Sequence, residues 1–250
     1  MHGAAQTAWV GGGMPRQTDF KTSAQQSAGD WDDLYHQAQS ASLDPLPGFS
    51  ELGKISRDEL FRDLGYTFWN CELLDALLIR LRAEGNLQWV ELAAGTGRLT
   101  AELARRGVRI AATDDYSQAP EAVRARERTI CYGRWVGRLS AREALATFSP
   151  EAVVCAWPPL GSWLVPDLLA GQVAGSERLR LIVCIGDPNG ATEAPVHAHE
   201  LAAGWVLASW LECARWLMGF NDPVDAPGSH SRLLVYRRDF TWEGNKTDGA

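Results

Sequence analysis

The sequence predicts an α/β protein: a doubly wound, seven-stranded, mostly parallel sheet with an antiparallel last strand, helices on both faces and an N-terminal helical cap. Between residues 87 and 211, short apolar runs alternate with segments of helical periodicity. Such alternation is typical of parallel strands joined by crossover helices. Residues 219–231, before the last apolar run, show no helical pattern, so the last strand can run antiparallel.

Seven apolar runs are predicted as strands, and the amphipathic segments between them as helices. The strands are expected at residues 87–92, 108–113, 130–136, 152–156, 179–185, 205–211 and 232–237. The helices between them are expected at residues 99–106, 120–128, 141–148, 164–170 and 195–203. The run at 130–136 has the weakest strand pattern of the seven.

The chain before the first strand divides into a polar tail and helices. Residues 1–28 are rich in Gly, Ala, Gln, Ser and Thr, a composition that cannot bury enough apolar area to offset the entropy of ordering. Ser56 and Glu59 have the spacing of a capping box. The helices predicted here are 30–41, 57–64 and one that begins after Asn70. The expected regions are a disordered tail at 1–28, a helical cap at 29–69, the sheet domain at 70–240 and a tail at 241–250.

Composition and charge limit the class of partner. Hydrophobic residues make up 46% of the chain, and its formal net charge is -7. Nucleic-acid binders usually carry a basic face, so a small-molecule substrate is favoured over a nucleic acid. No apolar run reaches the roughly 20 residues of a bilayer span, and no secretion signal is present, so a cytoplasmic protein without a membrane partner is expected. The five cysteines show neither disulfide nor zinc spacing, and no metal site is predicted.

The residues that follow the first predicted strand form a candidate ligand site. The strand ends near Glu91, and Ala93, Gly95 and Gly97 lie in the turn before the next helix. Small residues let a ligand approach the backbone closely, and N–H groups at a helix start bind polar atoms. Asp114 lies at the end of the next strand, where a carboxylate can accept hydrogen bonds from ribose hydroxyls.

The arrangement of Glu91, the glycine turn and Asp114 resembles the cofactor motif of class I S-adenosylmethionine (SAM) dependent methyltransferases. The order of strands in that family also fits residues 70–239. Ala93 stands where the family usually has its first glycine, which is a mild departure because alanine is the next smallest residue. A dinucleotide site is matched less well, because Thr100 stands where the third glycine of G-x-G-x-x-G would be.

The resemblance implies how SAM would be bound. Glu91 and the turn would hold the methionyl and ribose part, and Asp114 the ribose hydroxyls, with Asp115 as the second choice. Ser140, after the third strand, lies near where the family binds adenine. A helix cap or a turn is the competing interpretation of Asp114.

A second candidate site follows the fourth predicted strand, where Trp157 precedes two prolines. The position resembles the Asn/Asp-Pro-Pro-aromatic motif of amino-methylating enzymes, but Trp157 replaces the Asn or Asp and Leu160 the aromatic residue. The motif is therefore not taken to imply methylation of nucleobases or glutamine. The chain looks closest to a little-characterised methyltransferase-like group that has Trp-Pro-Pro at this position. Trp157 and Pro158 are expected to contact the cofactor or the substrate, and simple packing of Trp157 is an equal alternative.

A third candidate site is the loop after the fifth strand, which contains Asp187 and is followed by His197 and His199. Either histidine can act as a general base on a substrate hydroxyl or amine, with His199 the first choice. A position on a surface helix is the competing interpretation. Asp187, together with Tyr66 and Trp69 ahead of the sheet domain, is expected to contact the substrate, and core packing of the two aromatic residues is the alternative.

These sites predict a SAM-dependent methyltransferase that acts on a small molecule, such as a specialised metabolite in biosynthesis, at oxygen or nitrogen. Methyl transfer from a sulfonium needs little more than in-line positioning of the acceptor, so the sequence indicates the cofactor better than the acceptor. Two alternatives stay open. One is a protein or RNA methyltransferase, and the other is a SAM-binding protein without methyltransferase activity.

Overall fold

The described part of the chain folds as a seven-stranded sheet with helices on both faces. The computed structural model describes residues 30–117, 130, 132–158, 164–187, 204–223, 226 and 229–239. Its strands are β1 (Trp89–Leu92), β2 (Ile110–Asp114), β3 (Val136–Arg138), β4 (Ala152–Ala156), β5 (Leu181–Gly186), β6 (Trp205–Ala208) and β7 (Arg232–Arg238). Its helices are α1 (Trp31–Gln39), α2 (Phe49–Leu52), α3 (Arg57–Leu64), α4 (Cys71–Ala83), α5 (Arg98–Arg105), α6 (Ala141–Phe148), α7 (Leu164–Leu169) and α8 (Leu211–Ala214).

The strands follow the order β3-β2-β1-β4-β5-β7-β6 across the sheet. Neighbours from β3 to β5 pair in parallel, whereas β7 runs antiparallel to both β5 and β6. The predicted fold class, including the antiparallel last strand, is confirmed. The strand order reverses between β1 and β4, and open α/β sheets bind ligands in the crevice at such a point.

Alternate residues of the central strands belong to two hydrophobic clusters, one on each face of the sheet. Along β4, Ala152 and Val154 belong to the cluster that includes residues of α4 and α5. Val153 and Cys155 belong to the cluster that includes residues of α6 and α7. Because both of its faces are covered, β4 is apolar throughout and shows no alternation with polar residues.

The strand predicted at 130–136 is wrong in its bounds, since β3 begins only at Val136. The residues before it turn over the start of α5 instead. Trp135 is buried, and its Nε1 donates a hydrogen bond to the Gly97 carbonyl oxygen at 2.9 Å. The Gly133 N–H donates to the turn between β1 and α5, so this backbone is not free to extend the pairing with β2.

The strand predicted at 205–211 is also wrong at its end, because β6 stops at Ala208 and Leu211–Ala214 forms α8. Trp210 lies between the two elements and is buried in the same cluster as residues of α4. Burial of this side chain turns the backbone away from the sheet edge. The helices predicted at 120–128 and 195–203 and the tails at 1–28 and 241–250 lie outside the described residues.

The helices before the sheet pack onto it through specific contacts. Helix α1 contacts α5, β2 and β3, and the Nε1 of Trp31 donates a hydrogen bond to the Trp89 carbonyl oxygen at 3.0 Å. Helix α3 begins with the predicted capping box of Ser56 and Glu59, and Asn70 caps α4 by accepting from the Leu73 N–H. Among the described helices, none is both long enough and apolar enough to cross a bilayer.

Candidate functional site

A cleft of about 440 Å³ opens at the carboxyl ends of β1, β2 and β4. It brings together ten of the residues that the sequence singled out. They are Tyr66, Trp69, Glu91, Ala93, Gly95, Asp114, Asp115, Ser140, Trp157 and Pro158. These residues come from separate strand ends and from the segment before α4, and they meet at the sheet edge where α/β folds bind ligands.

Left-handed backbone geometry follows each of the three strands that end at the cleft. Ala93 follows β1 with a φ of 53°, Tyr116 lies just beyond β2 with 63°, and Trp157 follows β4 with 60°. Among the described residues other than glycine, only Ser149 shares this geometry. Each such residue costs on the order of 1–2 kcal/mol, and strain of this kind is concentrated at ligand sites.

Glu91 is a buried carboxylate that lines the cleft. It is 2% exposed, and its Oε2 accepts hydrogen bonds from the Thr100 N–H at 3.1 Å and from the Thr100 hydroxyl at 2.6 Å. No described residue binds Oε1. Removal from water raises the pKa of Glu91 to about 7, the bonds from Thr100 oppose that rise, and the charge of Asp114 adds to it.

Asp114 links the turns after β1 and β2 by hydrogen bonds. Its Oδ2 accepts from the Gly95 N–H at 2.9 Å, and its Oδ1 accepts from the Tyr116 N–H at 2.8 Å. Burial raises the pKa of Asp114 to about 6, although the hydrogen bonds from Gly95, Tyr116 and Tyr132 oppose the rise. Asp114 therefore does act as a turn residue, but a carboxylate has lone pairs for further donors.

The described lining of the cleft carries three carboxylates and no cationic side chain. Besides Glu91 and Asp114, the third is Asp115, which is exposed and accepts from the Ser117 N–H at 2.9 Å. Arg98 begins α5 nearby, but its guanidinium binds the side chain of Glu102 and the backbone at residue 44. The site therefore suits a ligand with cationic and hydrogen-bond donor groups, and it disfavours a polyanion.

Gly95 and Gly97 both have a positive φ, of 54° and 69°, but for different reasons. Gly95 lines the cleft, and a Cβ there would meet only the side chain of Ile130 at 3.5 Å. Gly97 does not line the cleft, and a Cβ there would lie 2.4 Å from Val136 Cγ2 and 2.6 Å from Trp135 Nε1. Glycine at position 97 is therefore explained by close packing against Val136 and Trp135, and the cofactor contact expected from the sequence is not found there.

Trp157 is both a packing residue and a cleft residue. Its backbone N–H donates to the Ile185 carbonyl oxygen at 2.6 Å, and its ring stacks on that of Tyr66 with the centroids 5.4 Å apart. The ring fits only because residue 219 is glycine, since a Cβ there would lie 2.6 Å from Trp157 Cζ2. Its Nε1 is buried and has no hydrogen-bond partner among the described residues.

Asp222 holds the backbone that packs on Trp157. Its Oδ2 accepts from the Gly219 N–H at 2.6 Å, and its Oδ1 accepts from the N–H groups of His230 at 2.7 Å and Ser231 at 3.0 Å. Burial works to raise the pKa of Asp222, but these hydrogen bonds outweigh it and hold the pKa below its usual value. The position of Trp157 therefore depends on a carboxylate that lies outside the cleft.

The other residues predicted for the site are either engaged in other contacts or lie outside the cleft or the described residues. Ser140 lines the cleft, but its hydroxyl is committed to capping α6 through Glu143. Asp187 is buried outside the cleft lining and accepts from the Asn221 Nδ2 at 2.9 Å, so the substrate contact expected for it is not found among the described residues of the cleft. His197 and His199 lie outside the described residues.

The sequence analysis missed Thr100, Ile130 and Tyr132 as residues of this site. Tyr132 lines the cleft and stacks on Tyr116 with the centroids 3.9 Å apart. Tyr132 was missed because the sequence analysis placed it inside the strand predicted at 130–136, although the neighbouring Gly133 is a signal for a turn. Thr100 had no local signal, because its contact with Glu91 exists only once the strand and the helix pack together.

Comparisons with known proteins add a likeness of fold. No family model and no curated protein matches the chain. One similar solved structure is that of yhhF, a proposed methyltransferase from Escherichia coli, with 16% identity and a TM-score of 0.39 over 67% of this chain and 86% of that one. Another is magnesium protoporphyrin IX methyltransferase (ChlM) from Synechocystis PCC 6803 with bound SAM, with 16% identity and a TM-score of 0.38 over 66% and 78%. At such TM-scores neither likeness bears on the site, whose chemistry follows from its own contacts.

Proposed function

We propose that this chain is a SAM-dependent methyltransferase that acts on an oxygen or nitrogen of a small molecule. The observation that carries the proposal is the composition of the cleft. A glycine turn after β1 lies beside two buried carboxylates, Glu91 and Asp114, and the described lining has no cationic side chain. SAM presents a sulfonium, an ammonium and ribose hydroxyls, and these are the cations and donors that such carboxylates bind.

The residues of the cleft fit different parts of that cofactor. Asp114 keeps its two backbone hydrogen bonds and has further lone pairs for the ribose hydroxyls. Glu91 has Oε1 available for the cationic methionyl end, and Gly95 leaves space for a close approach to the backbone. A dinucleotide fits less well, because its pyrophosphate would enter a cleft with three carboxylates.

Methyl transfer requires the acceptor to be held in line with the electrophilic methyl group that bound SAM supplies. Tyr66, Trp69 and Trp157 give the cleft an aromatic side, which suits a planar or apolar acceptor. The indole of Trp157 can only donate a hydrogen bond, so it cannot hold an amine by its hydrogens as Asn or Asp would.

A general base for the acceptor is proposed at His199, with His197 next. If one of them acts, its loss lowers turnover far more than SAM affinity, and the rate rises with pH through the titration of the histidine near about 6.5. If neither acts, methyl transfer depends on positioning alone.

A SAM-binding protein without methyltransferase activity is the second candidate function. It is favoured by Trp157, because the residue at this position lacks the acceptor oxygen of an amine-holding Asn or Asp. Binding of the cofactor would be the same for both candidates, so turnover is what separates them.

Isothermal calorimetry with SAM and with S-adenosylhomocysteine tests the proposal. The wild-type chain should bind both. Asp114→Ala should weaken binding by roughly 1–3 kcal/mol, because charge-assisted hydrogen bonds are left unmade, and Gly95→Val should abolish it by filling the cleft. Asp75→Asn, which removes an exposed carboxylate of α4 outside the cleft lining, is the matched control and should bind normally.

Two results would contradict the proposal in different ways. If neither ligand binds the wild-type chain, the cofactor assignment is wrong. If Asp114→Ala and Asp115→Ala both keep full affinity while Gly95→Val does not, the cofactor lies in the cleft but its ribose does not meet these carboxylates. A melting curve for each variant separates loss of binding from loss of folding.

A further inference from the structure

The described residues leave the negative charge of the cleft uncompensated. Glu91 and Asp114 are 2% and 8% exposed, and Asp115 lines the cleft from an exposed position. Their partners are neutral N–H and hydroxyl groups. No ion pair between described residues includes any of the three carboxylates. A bound cation would therefore be the main source of charge balance in this cleft.

Methyl transfer changes the charge of the cofactor by one unit. The S–CH₃ bond of the sulfonium breaks, its electron pair stays on sulfur, and the methyl carbon bonds to the acceptor atom, whose proton passes to a base or to water. SAM has a sulfonium, an ammonium and a carboxylate, so its net charge is positive. S-adenosylhomocysteine keeps the ammonium and the carboxylate but has a neutral thioether, so its net charge is zero.

We propose that this cleft selects SAM over S-adenosylhomocysteine by charge, with Glu91 and Asp115 as the specificity-determining residues. The inference rests on the proposed function. Once the methyl group has left, the same carboxylates face a ligand that no longer balances them, and the affinity for the product falls. The enzyme therefore releases its product readily and resists inhibition by it.

The size of the effect follows from Coulomb's law in a partly desolvated site. At an effective dielectric constant of about 20, unit charges roughly 8 Å apart change an equilibrium constant by more than about tenfold. The dimensions of a cleft of about 440 Å³ keep charges within such distances. Asp114 is set aside in the test, because its proposed bonds go to ribose hydroxyls, which both ligands have, so its removal weakens both.

The experiment measures dissociation constants by calorimetry at low ionic strength for SAM, S-adenosylhomocysteine and sinefungin. It is run at about pH 8, because Glu91, whose pKa is about 7, is mostly ionised there. Sinefungin has a protonated amine in place of the sulfonium, so it restores the charge without a transferable methyl group. The wild-type chain should bind SAM and sinefungin at least about tenfold more tightly than S-adenosylhomocysteine. Glu91→Gln, which keeps an oxygen for the bonds from Thr100, and Asp115→Asn should each lower that ratio severalfold, and Asp75→Asn should leave it unchanged.

The outcomes distinguish this inference from the proposed function. If S-adenosylhomocysteine binds as tightly as SAM and sinefungin, selection by charge is overturned while the cofactor assignment stands. If none of the three ligands binds, the proposed function fails and the inference fails with it. If Glu91→Gln does not fold, Asp115→Asn decides, because Asp115 is exposed and its replacement leaves the core intact. An unchanged ratio in that variant would overturn the role of Asp115.

Discussion

Glu91 and Asp114 are held in environments that oppose their ionisation. Desolvation raises the pKa of each carboxyl group in the folded chain, to about 7 for Glu91 and to about 6 for Asp114. Carboxyl groups perturbed by burial in a cleft are more common at functional sites than in purely structural positions. The charge that works against folding at these two residues is what makes the cleft attractive to a cation.

The stability of the chain should therefore depend on pH through Glu91. Its folded pKa of about 7 lies above the ordinary value of 4.5, so the folded chain binds more protons than the unfolded chain between these pH values, and its contribution to stability falls as pH rises through that window. Glu91→Gln removes the titration. Its free energy of unfolding relative to wild type should increase by up to about 3 kcal/mol from about pH 5 to about pH 8 in urea denaturation.

Asp75→Asn is the control for this measurement, because Asp75 is exposed on α4. Its stability relative to wild type should not follow the same profile. A Glu91→Gln variant whose advantage over wild type is the same at both pH values would show that Glu91 does not titrate in this range.

Gly97, in the turn after β1, should tolerate a side chain less well than a positive-φ glycine whose added Cβ would lie in open space. Gly97→Ala should lower the free energy of unfolding by about 2–4 kcal/mol, because it combines left-handed strain with overlap on Val136 and Trp135. Gly107→Ala is the matched control, since Gly107 also has a positive φ but a Cβ there would meet no atom within 4 Å. It should lose only about 1–2 kcal/mol, and equal losses in urea denaturation would contradict the packing explanation.

At the scale of elements, α1 is part of the folded core. Trp31 and Leu34 are buried in the cluster on one face of the sheet, and Ala38 is buried in the other. The indole of Trp31 donates to the backbone of β1, and the guanidinium of Arg109 lies 5.1 Å from its ring. The helix therefore bridges to strands that lie far along the chain.

Two truncations should separate α1 from the residues before it. Deletion of residues 1–28 should leave the melting temperature and SAM binding unchanged, because the composition of that segment offers little apolar area to bury. Deletion of residues 1–40 removes α1 and should lower the melting temperature by roughly 10 °C, through loss of buried apolar side chains. A large fall in the shorter truncation, measured by calorimetric scanning, would refute the prediction for residues 1–28.

Elements were predictable where a local signal coincided with the tertiary contacts. The helix at 141–148 and the strand at 152–156 have the predicted bounds, because capping by Ser140 and a continuous apolar run are both visible in the sequence. The prediction of a strand at 130–136 was wrong despite the turn signal of Gly133, since the aromatic residues there cover α5 instead of extending β3. Aromatic residues favour strands in general, and the hydrogen bonds from Trp135 and Gly133 to the turn before α5 decide against one here.

At the scale of the whole molecule, half of the candidate site was predictable because it lies at strand ends. Glu91, Asp114 and Trp157 each occupy the carboxyl end of a parallel strand, and the fold alone brings such ends together. Thr100 and Tyr132 could not be predicted, because their contacts with these residues depend on how a helix and a loop pack over the strands.

The distribution of charge over the molecule predicts weak binding of RNA. The chain has a net charge of -7. Two of the three arginines in residues 105–109 are engaged within the fold, since Arg106 pairs with Glu102 and Arg109 lies over Trp31. A filter-binding assay with poly(U) at about 0.15 M salt should detect no complex tighter than the micromolar range. Submicromolar binding with a steep dependence on salt would instead favour the RNA methyltransferase alternative.

The place of β7 in the sheet has a consequence for how the chain is made. Among the described strands, β7 lies between β5 and β6 and is the one with which β6 pairs, yet it is synthesised after both. During synthesis, β6 therefore leaves the ribosome before the strand with which it pairs. One hydrogen-bonding edge of β5, which is fully buried in the folded chain, also stays unpaired until β7 is made. A chain that stalls before residue 232 would present an unpaired apolar edge to its neighbours, the kind of surface on which nascent chains aggregate or recruit chaperones.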